Sequence, residues 1–102
     1  MAVKNWAYIF ISPGFDPLKN TTTTESPDCR FTAVGINPAD MAKVIPAAKQ
    51  LVADGAQFIE LCGGFGPTWV TKVSQAVGDD IPVGTSMYGP EWRQKMLDIV
   101  AC

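Results

Sequence analysis

Ala56-Gln57-Phe58-Ile59-Glu60-Leu61-Cys62-Gly63-Gly64-Phe65-Gly66-Pro67-Thr68 is the stretch that decides the fold. Ala56 to Cys62 is a short apolar run bounded by glycine on both sides, as a covered strand requires. Gly63 to Gly66 breaks it, and Pro67 sits where a first helical residue belongs, because its missing N–H is not needed there. Trp69 or Val70, Val73, Ala76 and Val77 then recur at helical spacing, up to the turn Gly78-Asp79-Asp80. The segment is a strand, a glycine turn and a helix.

The residues on either side extend the alternation. Upstream, Asn37-Pro38-Ala39-Asp40 has the form of a helix start, with Asn37 as cap and Asp40 able to close a capping box. Met41, Val44, Ile45, Ala48, Leu51 and Val52 make one apolar stripe, and Gly55 ends it. Pro46 lies inside this stripe, where a proline lacks a donor and clashes with the preceding turn. Either the helix kinks, or its first turn is separate and the main helix starts nearer Val44. Before it, Cys29 to Ile36 reads as a strand, and Asn5 to Ser12 (NWAYIFIS) as another, stopped by Pro13-Gly14. Between these two, Phe15 to Asp28 is polar and contains two prolines and four threonines in a row; it reads as a long loop, with an irregular edge strand as the alternative for the threonines. Downstream, Ile81 to Ser86 is the last strand. Tyr88-Gly89-Pro90-Glu91 opens the last helix, with Trp92, Met96, Ile99 and Val100 as its stripe.

The expected fold is α/β: one domain over residues 1–102, with a small, mostly parallel sheet of about four strands in the order β-β-α-β-α-β-α and flanking helices. In an open parallel sheet, ligands gather beyond the carboxyl ends of the strands. Those ends here carry Ser12, Asn37, Gly63, Gly64, Phe65, Gly66, Thr68, Ser86 and Tyr88, which form the expected ligand-binding set. Glycine lets backbone amides approach a ligand, and the following helix start favours an anion. Strand-to-helix turns also need glycine for purely structural reasons. The loop lacks the Gly-Lys-Ser/Thr ending of a phosphate loop and the GxGxxG of a dinucleotide site, so no cofactor is expected.

Cys62 and Glu60 are the candidate catalytic pair. They lie two residues apart on one side of their strand, and a thiolate beside a helix start is favoured. If that strand is covered on both faces, Glu60 must be paired or protonated. The structural alternatives are a small apolar cysteine and a glutamate in an ion pair. Asp16 and Glu91 are secondary candidates for the cleft, while Asn37 has the competing role of helix cap. Cys29 falls at the strand end opposite Cys62, and Cys102 is terminal.

Composition narrows the chemistry. The 102 residues contain no histidine, which removes Ser-His and Cys-His pairs and any imidazole metal site. Three widely spaced cysteines form neither a disulfide framework nor a zinc ribbon, so no metal is expected. A net charge of −2 offers no basic surface for nucleic acid. No run approaches a membrane span and no signal-peptide pattern opens the chain, so a cytoplasmic location is expected. Three Trp, five Phe and two Tyr either fill a small core or anchor a homo-oligomer, and the latter is expected.

Trp6 to Phe10, Ser12-Pro13-Gly14, Asp16-Pro17, the run Gly55 to Pro67 with Trp69, Val83-Gly84 and Tyr88-Gly89 together resemble a family of small bacterial domains of unknown function. The family pattern often has a His-Arg pair near Lys19-Asn20, which this chain lacks. The resemblance implies a small α/β domain and no established chemistry. The expected function is binding of a small anionic or carbonyl-bearing molecule at the glycine loop. The rivals are a cofactor-independent isomerase or lyase using Cys62 and Glu60, and a structural or regulatory homo-oligomeric domain without a ligand.

Overall fold

In a computed structural model that describes residues 2–100, five strands form one mixed sheet. They are β1 (Asn5–Ile11), β2 (Thr21–Glu25), β3 (Arg30–Ile36), β4 (Ile59–Leu61) and β5 (Val83–Thr85), in the spatial order β2-β3-β1-β4-β5. β1 runs parallel to β3 and β4, and β4 parallel to β5, while β2 is antiparallel to β3. This corrects the expected four-stranded, mostly parallel sheet. The threonine run is a fifth strand. All five of its residues are exposed, so no hydrophobic alternation marks it, but threonine suits an edge strand through its β-branch. A tight turn returns it to β3: the Ser26 hydroxyl accepts from the N–H groups of Asp28 and Cys29, both at 3.1 Å.

The helices are α1 (Val44–Ala53), α2 (Gly66–Val77) and α3 (Arg93–Val100). Pro46 causes no kink. Pro38–Lys43 forms a separate 3-10 turn, broken at Asp40, and α1 starts at Val44. Pro46 then falls in the first turn of α1, where no intrahelical donor is required.

Alternation along the strands sorts the side chains onto two faces. Ala7, Ile9, Val34, Ile36, Ile59 and Leu61 are buried against Val44, Ala48 and Leu51 of α1 and Val73 of α2. Both α1 and α2 therefore cover the same side. The other face carries Trp6, Tyr8 and Phe10 from β1 and Phe31 from β3, all half-buried, and neither α1 nor α2 lies on it. α3 buries no residue and contributes nothing to the core, leaving Leu97, Ile99 and Val100 exposed, as is Trp92 in the 3-10 turn before it. Among the described residues no helix is long and apolar enough to cross a membrane.

Candidate functional site

Register places the residues of the open face in rows. Tyr8 pairs with Ala33 on one side and Glu60 on the other, and Glu60 pairs with Gly84. One residue beyond each ladder, Phe10, Cys62 and Ser86 make the next row: the Cys62 N–H donates to the Ile9 carbonyl, and the Ser86 N–H to the Leu61 carbonyl. On the other side Trp6 lies between Phe31 and Phe58, with ring centroids 4.5 and 5.4 Å away. A polar row is thus framed by aromatic rings on an uncovered sheet.

Tyr8 is the centre of this arrangement. Ser86, Cys62, Tyr88 and Glu60 all act on its phenol. Burial pushes the Tyr8 phenol above its usual range, and the neighbouring Cys62, Tyr88 and Glu60 push in the same direction. Ser86 opposes them without reversing the shift. Its ring stacks on Phe10 at 6.1 Å, and Phe10 meets Phe15 edge-on at 5.6 Å. Phe15 closes over Gly35, where a side chain would collide with the Phe15 ring.

The structure brings Glu60, Cys62, Ser86 and Tyr88 together around a residue that sequence reasoning treated only as part of a strand. The signal for Tyr8 was the alternation Trp6, Tyr8, Phe10, which puts three aromatic side chains on one face. Glu60 is exposed, because β4 is covered on one side only, so it is not the desolvated carboxylate of a doubly covered strand. The Cys62 sulfur accepts from the Ile11 N–H at 3.3 Å and is half-buried against the core. Cys29 stands at the opposite end of the sheet, as its position on a parallel strand requires. Cys102 lies outside the described residues.

The remaining candidates divide between the rim and the core. Gly63 and Gly64 line a cleft of about 430 Å³ with Tyr88, Arg93, Leu97 and Val100, between the loop and α3. Arg93 is a cation that the sequence patterns did not single out. A Cβ on Gly63 would lie 2.8 Å from the Ser86 carbonyl oxygen, so the absence of a side chain there lets the β4 and β5 ends close together. Gly66 holds φ at 76°, which turns the chain into α2. Phe65 is buried in the core, and Thr68 is exposed in the first turn of α2. Ser12 and Asn37 sit at the neighbouring ends of β1 and β3. Asn37 does not cap with its side chain; its Oδ1 accepts from the Gly14 N–H at 3.2 Å. Asp16 shapes its own loop, with Oδ1 accepting from the Leu18 N–H at 2.9 Å. Glu91 folds its carboxylate over Gly89.

A second groove, of about 420 Å³, lies on the helix side between the β2–β3 hairpin and α1. Of the candidate site residues it holds only Asp16, and its floor hydroxyls are paired, Thr23 with Thr32 at 3.3 Å. Among the described residues no group of three potential metal ligands occurs.

A family model described as "Family of unknown function (DUF6506)" matches residues 4–101. The chain belongs to that family. The match spans all five strands and all three helices, so every residue of the open face falls within the DUF6506 region. No curated protein and no solved structure matches the chain.

Proposed function

We propose that the chain binds a small carbonyl-bearing molecule on the open sheet face. The observation that carries this reading is the placing of the Tyr8 phenol beside Glu60 and Ser86 on a face of aromatic rings. A carbonyl oxygen accepts from such a donor, and an apolar body rests on Phe10, Trp6 and Phe58. Glu60 and the absence of any cation from this row favour a neutral carbonyl over a free anion there. An anionic group is better served at the adjoining cleft, beside Gly63, Gly64 and Arg93. The test is an amide chemical-shift titration with ketones, aldehydes and simple carboxylates. Carbonyl compounds are expected to move the amides of Tyr8, Glu60 and Ser86, and Tyr8→Phe to abolish the effect. Perturbation by carboxylates alone, confined to Gly63, Gly64 and Arg93, overturns it in favour of an anion site.

The Tyr8–Glu60 register pair supports a second reading, proton transfer at the carbon next to that carbonyl. Glu60 takes the proton, the electron pair moves onto the carbonyl oxygen, and the Tyr8–Ser86 pair holds the resulting enolate until the proton returns. Solvent deuterium entering the ligand at that carbon, lost in Glu60→Gln and kept in Cys62→Ser, is the expected result. Loss in Cys62→Ser instead assigns the proton to the thiol.

A further inference from the structure

The described chain is too extended for its mass. Folded monomers of 11.0 kDa expose about 5,600 Å², and this one exposes 6846 Å², an excess of roughly 1,200 Å². Its radius of gyration is 14.0 Å, against about 12.8 Å for a compact chain of this length. Two features contribute to the excess: a sheet face with no helical layer, and a helix that buries none of its residues. A standard interface removes about 800 Å² from each partner, which the surplus accommodates.

We propose that the protein is a twofold homodimer in which α3 of each copy lies on the aromatic sheet face of the other. The apolar arc of α3 is wider than its own cleft uses. Arg93, Met96, Leu97 and Val100 line that cleft, whereas Ile99, and Trp92 in the 3-10 turn Pro90–Trp92 that leads into α3, do not and are 70% and 51% exposed. Those two residues meet the partner's rings at Trp6, Phe10 and Phe31, supplying the helical layer that the open face lacks. Charge agrees with shape. Glu60 is the acidic group on the face, and the helix carries the exposed cations Arg93 and Lys95 against one carboxylate, Asp98. An isologous contact repeats both halves of this fit across the twofold axis. The partner's α3 takes the Trp6 and Phe10 rings, so the dimer contact and a ligand whose body rests on those rings exclude one another. The dimer itself rests on shape and area rather than on the ligand reading, and mass rather than ligand binding reports it.

Sedimentation velocity of the full chain at about 100 µM, far above the dissociation constants of useful interfaces, should return twice the chain mass. Ile99→Glu, on the helix, and Ala33→Glu, beside Tyr8 on the face, are each expected to weaken the dimer at least tenfold. Neither empties the core, and circular dichroism checks that both variants fold. A mixed sample of labelled and unlabelled native chain should show intermolecular contacts between the Ile99 methyls and the Trp6 or Phe10 rings. This measurement decides the matter even if a variant unfolds. A native monomer at that concentration overturns the proposal, as does a dimer indifferent to both substitutions. Intermolecular contacts between one Ile99 and another overturn it in favour of helix-to-helix pairing.

Discussion

Tyr8 and Glu60 are register partners on adjacent parallel strands, both on the uncovered side of the sheet. A phenol and a carboxylate are held side by side by backbone pairing alone. Beyond Glu60 the row continues to Gly84, which has no side chain, so the carboxylate is open on that flank.

The raised Tyr8 pKa gives a pH signature. The folded state holds this proton more tightly than the unfolded chain, whose phenol titrates near 10. The resulting stabilisation is complete below pH 10 and declines as pH rises through the higher folded value. Chemical denaturation across the alkaline range should show stability falling above pH 10, with a shallower fall in Tyr8→Phe. An identical fall in both proteins removes Tyr8 as the source.

Tyr8→Phe should cost no more than about 1.5 kcal/mol at neutral pH, the upper net value of one hydrogen bond, because the ring stays on Phe10 and Ser86 is exposed to water. Urea unfolding measures this. A loss well above 3 kcal/mol makes the hydroxyl part of the structural core.

Gly63→Ala brings a methyl against the Ser86 carbonyl oxygen, a backbone atom that moves only with the end of β5. A cost of about 1–3 kcal/mol is expected, together with shifted amide resonances at Ser86 and Met87. Gly84→Ala, with open space at the corresponding position, is the control and should leave Ser86 in place.

Pro46→Ala separates the two readings of the first helix. With Pro46 in the first turn of α1, replacement changes stability by less than about 1 kcal/mol. Relief of a proline truly interior to a helix would stabilise by about 3 kcal/mol, and thermal unfolding distinguishes the two outcomes.

The alternation of strands and helices was legible because it depends on local signals: the Cys62–Pro67 break, the stripe from Met41 to Val52, and glycine at the turns. Thr21 to Glu25 was not, because an edge strand that buries nothing carries no apolar periodicity, and its identity depends on β3 lying beside it. The same limit applied to the site. Glu60, Cys62, Ser86 and Tyr88 could be placed near the carboxyl ends of strands from chain order. Tyr8 joined them only through the β1–β4 register, which pairs residues about fifty positions apart. The exposure of Glu60 likewise follows from both crossover helices falling on one side, a choice set by connection handedness and strand order together.

The central place of β1 bears on how the chain reaches this state. Asn5–Ile11 is synthesised before either neighbour, yet it is satisfied only when β3 and then β4 arrive beside it. Until residue 61 has emerged and docked, an aromatic and β-branched segment keeps an unpaired edge. The β2–β3 hairpin, whose contacts are local, is suited to form first and present β3 as a template. A nascent or unfolded chain thus carries an aromatic, β-branched segment bare, and its yield on refolding should fall steeply with protein concentration.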